Sequence, residues 1–232
     1  AIGTRALPAA GMTISVPKIT TSGTVAETAE AGAPSETGII SSYVNLSVKK
    51  FSGLQRYSLE VLERSDPSFF QSMLDNMTRA YNKATDAAVI AELTASGTQA
   101  TAVAATSAGL ISYVSTEAPA AYLATGELAT KYIAGTSQWS LLLGATDSTG
   151  RPIYNAANPM NNAGSSVPTS LRGNVLGLDL YVDPNAVSTT IDESAFIVVP
   201  SSVSIYESPI LRLSTNIPTS GEIETSLYGY MA

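Results

Sequence analysis

The chain has 232 residues, a net charge of −7, 44% hydrophobic and 13% charged residues, and neither histidine nor cysteine. The missing cysteines exclude disulfides and cysteine-based metal sites, and the missing histidines remove the commonest general base and metal ligand. A soluble monomer usually carries more surface charge than this, so the composition favours a chain that is partly covered in an assembly; a Ser/Thr-rich secreted surface is the alternative.

The first predicted element is a long β-hairpin after a short lead. Apolar and polar residues alternate in MTISVPKITTSGTVAET and in IISSYVNLSVKKF, as in half-buried strands. The sequence between them, AEAGAPSETG at 29–38, has small residues, two carboxylates and a proline, with little to bury. An isolated hairpin is marginal in water, so we expect another subunit to lie under this arm. LQRYSLEVLE is predicted to continue the strand.

A long helix is predicted next, from Pro67 to Leu93, with Asp66 as its N-cap. Apolar residues recur at three- and four-residue steps through SFFQSMLDNMTRAYNKATDAAVIAEL. These 27 residues would span about 40 Å. Large side chains come first and alanines later, so the second half is predicted to pack closely against another backbone.

The remaining elements are shorter and mixed. Residues 96–109 are predicted as a loop, 110–123 as a helix that Pro119 interrupts, and ATKYIAG as a buried strand. TSQWSLLLGA is predicted as a helix capped by Thr136 or Ser137, before a long polar loop at 146–173 rich in Gly, Pro and Asn. Strands are predicted in NVLGLDLYVDP, SAFIVVP, SVSIYES, ILRLST and GEIETSLYGYMA. This order predicts an α+β fold.

The sequence predicts no enzyme and no catalytic, cofactor-binding or metal-binding residue. A serine nucleophile would need a lysine or carboxylate base, and Glu27 and Glu30 lie near the exposed hairpin tip. Asp147, Asp183 and Asp192 lack the spacing of a calcium loop and are expected to be solvated. No apolar run approaches the roughly 20 residues that span a bilayer.

Several pieces in order resemble one family. They are the tip Glu30-Ala31-Gly32, then VNLSVKKF, YSLEVLERSD, TRAYNKATDAAV, TKYIAGTSQWSLLLGATDSTGRPIY and NVLGLDLYVDPNA. Together they resemble the HK97-fold major capsid proteins of tailed bacteriophages over residues 12–232. Each motif is weak alone, and the order and spacing carry the resemblance.

The resemblance implies a domain plan. Residues 1–11 would be a short lead, which fits a removed scaffolding segment or an arm that precedes this sequence. Residues 12–53 would be the extended loop that reaches over a neighbour. The peripheral domain would be 54–109 with a spine helix at 67–93, the axial domain 110–206, and the return strands to the peripheral domain 207–232.

The resemblance also implies a function and partners. Copies would form pentamers and hexamers of an icosahedral virion shell around double-stranded DNA, without a membrane. The shell would be assembled in the bacterial cytoplasm with a portal and, in some shells, decoration or scaffolding proteins. From residue 152 onward there are two basic and seven acidic residues, so DNA contact should be weak and non-specific, and this half should avoid the inner surface.

Some members of the family cross-link a loop lysine to a neighbour's asparagine. Here Lys18 lies near the hairpin base, the tip has no lysine, and Asn216 lies loosely where the partner would be. The sequence therefore predicts no isopeptide cross-link.

Two other functions remain open. An encapsulin-like compartment would share the fold and enclose cargo protein instead of DNA. A secreted adhesin or surface-layer domain would explain the low charge and absent cysteine, but it predicts no long helix after a long hairpin.

Overall fold

The structure is a computed structural model that describes residues 3–34, 36, 38–65, 67–146, 149–150, 155–156, 173–186 and 195–232. The helices are α1 (Leu59–Arg64), α2 (Pro67–Ser96), α3 (Ser107–Thr125) and α4 (Thr136–Gly144). The strands are β1 (Gly3–Ala6), β2 (Thr13–Thr21), β3 (Ile40–Ser47), β4 (Lys49–Ser58), β5 (Lys131–Ala134), β6 (Asn155–Ala156), β7 (Gly173–Val175), β8 (Leu178–Val182), β9 (Ala195–Val198), β10 (Ser204–Glu207), β11 (Leu211–Ile217) and β12 (Glu222–Met231).

The chain divides into two compact units. The first unit consists of Ala1–Thr4 and Ser65–Ile205, and the second of Arg5–Arg64 and Tyr206–Ala232. Each unit therefore draws on two separated stretches of sequence.

The first unit is built on a sheet of order β6-β7-β8-β5-β9, in which β5 and β8 run parallel. Tyr132 and Ala134 of β5 pack in a core with Leu110 of α3 and Leu142 of α4. Ile133 belongs to another cluster, with Ile90 of α2 and with Ala186 and Val198. Because side chains alternate across a strand, this places α3 and α4 on one face of the sheet and α2 on the other.

The long helix α2 begins at Pro67 as predicted and runs for 30 residues to Ser96, about 45 Å. Met77 and Ile90 are buried in it. It ends where the Gly97 N–H donates to the Leu93 carbonyl, and a Cβ on Gly97 would lie 2.5 Å from that oxygen. The predicted cap Asp66 lies outside the described residues.

Two predictions near Ser58 and Leu176 are wrong in detail. The strand expected through LQRYSLEVLE ends at Ser58, which pairs with Glu222, the first residue of the antiparallel partner β12. The Ser58 hydroxyl accepts from the Val61 N–H at 3.3 Å, and α1 begins. NVLGLDLYVDP is two strands, because Leu176 and Gly177 both have positive φ, as a tight hairpin turn requires.

Two helix predictions are also corrected. Pro119 lies inside α3 and does not interrupt it; its side chain is exposed, and the buried Leu110 and Val114 hold the preceding turns in place. Helix α4 is preceded by Gly135 without a side-chain cap. Thr136 is already its first residue, so neither Thr136 nor Ser137 is the cap.

The second unit contains a five-stranded sheet centred on β12. Strand β12 pairs antiparallel with β4 along one edge and with β11 along the other, and β10 and β1 follow beyond its end. Its side chains alternate between half-buried and buried along its length. At its middle, the fully buried Thr225 hydroxyl lies 3.2 Å from the Tyr57 hydroxyl and 3.1 Å from the Ser214 hydroxyl.

Replacing Leu142 with alanine should leave a cavity in the core and destabilise the first unit strongly. Leu142 is 0% exposed, and Leu→Ala at such a site costs about 2–5 kcal/mol. Its neighbour Leu143 is 42% exposed and provides the matched control, since Leu143→Ala should cost less than about 1 kcal/mol. Denaturant unfolding of both variants checks this; equal costs would contradict the described core.

Replacing Thr225 tests the hydroxyl cluster of the second unit. Thr225→Val keeps the shape and removes the central hydroxyl, so the free energy of unfolding should fall by about 1–3 kcal/mol. Ser226→Ala, on the opposite face of β12, is the control and should change it by less than about 0.5 kcal/mol. A neutral Thr225→Val would mean that the cluster adds nothing to stability.

Candidate assembly surfaces

The β2–β3 hairpin has one half-buried face and one exposed face. Its register pairs Ile14 with Leu46 and Val16 with Val44, so these apolar side chains share the first face, as the alternation predicted; the first three are half-buried, and Val44 is 44% exposed. The second face carries Tyr43, which is 71% exposed. Across it, the Ser15 hydroxyl donates to Asn45 Oδ1 at 2.7 Å.

Large apolar side chains stand exposed along the hairpin and its connecting loop. We call this set the hairpin surface: Met12, Ile19, Val25, Ile39, Ile40, Tyr43 and Val44. Ile19 alone is 62% exposed. A run of this kind along one arm is more than the single exposed apolar residues that any protein carries, and it marks the arm as a contact surface.

The loop that joins β2 to β3 is acidic and exposed. It carries Glu27, Glu30 and Glu36, all exposed, as predicted for a tip with little to bury. The chain turns where Ala31 adopts a φ of 62° and the Gly32 N–H donates to the Ala29 carbonyl at 2.8 Å. This backbone hydrogen bond closes the turn, and the described residues of the tip are exposed.

One face of the β4–β12–β11 sheet is also apolar and open; we call it the sheet surface. Leu54, Leu211 and Leu213 are each about half exposed on it, and the register aligns Leu213, Ser226 and Leu54 across the three strands. Lys50 Nζ lies 5.0 Å from the centre of the Tyr228 ring. The Arg56–Glu224 ion pair, at 3.2 Å, forms its polar edge.

A third exposed group, the helix surface, lies along α3 and just after it. Ile111, Tyr122 and Leu123 of α3 are exposed, and Leu128 follows the helix. The other side of α3 carries the buried Leu110 and Val114. A helix that is apolar around most of its circumference is usually packed against protein on both sides.

Candidate chemistry does not assemble among the described residues. Ser15 and Lys18, and likewise Ser47 and Lys50, have a Ser-x-x-Lys spacing. The first two have register positions on opposite faces of β2, and Lys50 Nζ lies over the Tyr228 ring. Lys131 donates to Asp179 at 2.9 Å and to the Tyr181 hydroxyl at 3.2 Å. The described part of the chain contains no group of three or more carboxylates placed to hold a metal ion.

The remaining predicted residues are distributed as follows. Lys18 on β2 and Asn216 on β11 are both exposed, so the prediction of no cross-link stays a prediction. Asp183 is 9% exposed and is not the solvated loop carboxylate expected from sequence. Asp147 and Asp192 lie outside the described residues, as does most of the loop at 146–173.

Sequence reasoning missed the sheet surface and the helix surface. The signal for the first was present in ILRLST, where Leu211 and Leu213 alternate with polar residues. Alternation shows that two leucines share a face, but not whether the chain itself covers that face. Among the described residues, no helix is both long enough and apolar enough to cross a membrane.

Comparison with known proteins gives one family and one fold. The family model described as phage capsid protein matches residues 42–231. A chain from Mycobacterium phage Bobi is 17% identical with a TM-score of 0.67, covering 100% of this chain and 81% of its own length. A chain from Microbacterium phage Oxtober96 is 13% identical with a TM-score of 0.69, covering 100% and 82%.

A chain from the capsid of a native GTA particle is 11% identical with a TM-score of 0.70, covering 99% of this chain and 82% of its own length. At these identities the likeness is one of fold, and it confirms the predicted α+β capsid architecture. No curated protein sequence matches the chain.

Proposed function

Because the chain belongs to the phage capsid protein family, we propose that its copies close an icosahedral shell around double-stranded phage DNA. The chain is a structural capsid protein, and its place is the virion capsid. The encapsulin-like and adhesin alternatives have no support from the family match. The observation that carries the proposal is the set of exposed apolar surfaces on a chain with 13% charged residues.

The hairpin is the extended loop in this proposal. It is one β-ladder, β2 with β3, with an exposed apolar face and an acidic tip. If the hairpin lies on a neighbouring copy, Ile19 and Tyr43 are buried. The contact then gains about 25 cal/mol of free energy for each Å² of apolar area removed from water. Shell stability would then come from many such modest interfaces, repeated over the lattice.

The domain plan is retained as part of the proposal, with one difference: α2, which the plan assigns to the peripheral domain at 54–109, lies in the same compact unit as the sheet β6-β7-β8-β5-β9. The sheet β6-β7-β8-β5-β9 with α3 and α4 supplies the axial domain at 110–206. Strands β11 and β12 supply the return at 207–232, and the pairing of β12 with β4 supports a return to the peripheral domain. Helix α2 supplies the spine.

The DNA side of the shell is proposed from charge. Arg79 and Lys83 are exposed on α2, and Arg5 is exposed near the N-terminus. These basic groups attract phosphate, whereas Asp179, Glu207 and the other acids after residue 152 repel it. We place Arg5, Arg79 and Lys83 on the inner surface of the shell, facing DNA, and the acidic half away from it. The contacts between the protein and DNA would be weak and non-specific.

The proposal extends to the other partners and to chemistry. A portal closes one vertex, scaffolding or decoration proteins assist where the shell uses them, and assembly occurs in the host cytoplasm. The chain performs no catalysis and needs no cofactor. The family membership and the separation of the candidate catalytic groups support this.

Electron microscopy of the purified protein or particle, before and after nuclease treatment, tests the proposed function. We expect closed shells tens of nanometres across whose double-stranded DNA survives nuclease. Shells filled with one protein would favour the encapsulin-like alternative. A stable monomer at high concentration would contradict assembly altogether.

Polar substitution on the hairpin surface should impair assembly while leaving the subunit folded. The double variant Ile19→Ser with Tyr43→Ser removes two exposed apolar side chains. If the lost contact is worth about 1.4 kcal/mol, the critical assembly concentration should rise about tenfold. Light scattering against protein concentration measures this.

The control is Ser41→Ala, which changes an exposed polar residue of the same hairpin and should leave the critical concentration within about twofold. Circular dichroism should show unchanged unfolding midpoints for both variants. Normal assembly of the double variant would mean that the hairpin surface is not an interface.

A further inference from the structure

A polar junction joins α2 to the chain that follows β8 within the first unit. Asn185 lies three residues beyond the end of β8. Its side-chain Nδ2 donates to Asp86 Oδ2 of α2 at 3.1 Å and to the Lys83 carbonyl oxygen at 3.5 Å. One amide therefore bridges a helix and a loop that are about a hundred residues apart in sequence.

Asp183 fixes the loop side of this junction. Its Oδ1 accepts from the Asn185 backbone N–H at 2.7 Å, and its own N–H donates to the Ala134 carbonyl at 3.0 Å. The residue is 9% exposed. Its carboxylate therefore has a defined position next to Asp86 and little freedom to turn toward solvent.

Two carboxyl groups thus meet at one place. Partial burial raises the pKa of Asp86 above its ordinary value of 3.8, and the charge of Asp183 and a carboxyl–carboxyl hydrogen bond raise it further. The Asn185 amide acts in the opposite direction, because it stabilises the ionised form. Much of Asp86 stays exposed, so water moderates the effect.

Among the described residues, the other groups at the junction bring little compensating charge. On α2, Lys83 lies one turn before Asp86 with an exposed side chain, and no Lys83–Asp86 ion pair is found within the described ranges. Beneath the junction, Ile90, Ala186 and Val198 form an apolar cluster. From β5 the contact is the backbone carbonyl of Ala134.

We propose that Asp86 takes up a proton and donates it in a hydrogen bond to Asp183 across the junction between α2 and the end of β8, so that acid tightens the attachment of this helix to the sheet. In the protonated state, the Asp86 hydroxyl donates to a carboxylate oxygen of Asp183, while Asn185 Nδ2 donates to Asp86 Oδ2 and the Asn185 backbone N–H donates to Asp183 Oδ1. When the proton leaves to solvent, two carboxylates face each other and Asn185 alone joins them. The junction is a pH-sensitive clasp, independent of what the shell encloses.

The direction of the pH effect follows from the raised pKa. The folded state binds this proton more tightly than the unfolded state does, so its contribution to stability is complete below about pH 3.8. The contribution is lost as the pH rises through the raised value of the folded protein. The clasp therefore weakens toward neutral pH.

Asp86→Asn tests the clasp, because an amide can donate to Asp183 at every pH as the protonated acid does. We expect the unfolding midpoint of the full chain to exceed that of wild type by about 2–4 °C at pH 7, and this difference to shrink as the pH is lowered toward 4. Differential scanning calorimetry at both pH values, on samples held in the same assembly state, measures the difference.

Asp75→Asn, three turns earlier on α2, is the matched control. Asp75 accepts from Gln71 at 2.8 Å, and the asparagine oxygen keeps that bond, so its effect should be small and the same at both pH values. Three results would overturn the clasp: Asp86→Asn less stable than wild type at pH 7, a difference independent of pH, or a wild-type midpoint at pH 7 that EDTA lowers, which would indicate a bridging cation.

Discussion

Strand β5 is buried on both of its faces, and the arrangement of the first unit depends on this. Tyr132 and Ala134 face α3 and α4, while Ile133 faces α2. A strand that buries both faces needs apolar residues at consecutive positions, and such a strand fixes the helices on either side of it. Because α2 is held in this way, Asp86 meets Asp183 and Asn185 at one end of the sheet.

The second unit follows a different principle, since much of its apolar surface stays open. The buried side of β12, with Thr225 at its centre, gives the sheet a core. On the opposite side, Leu54, Leu211 and Leu213 remain about half exposed. The hairpin has even less to stabilise it. In the proposed shell, such a chain would gain further stability by burying these surfaces against other copies.

Local patterns predicted the elements well where one residue type determines the backbone. Pro67 begins α2 because its missing N–H costs nothing in the first turn, and the alternation of Ile14 and Val16 gives β2. Prediction failed where the secondary structure depends on a partner strand or on packing against another element. LEVLE alternates like a strand, but β12 begins at Glu222, opposite Ser58, and offers no partner beyond it, so the chain continues as α1. Pro119 is tolerated because α3 is held by packing of Leu110 and Val114.

The sequence by itself determined the α+β class, the hairpin with its polar tip, the long helix and the capsid resemblance, because all of these rest on local periodicity and on the order of elements. Tertiary structure alone decided which apolar faces the chain covers and which it leaves open, as Leu142 and Leu143 illustrate. It also decided that Asp183 is buried beside Asp86 and not solvated. Burial and charge proximity depend on residues distant in sequence, and periodicity along one stretch carries no information about them.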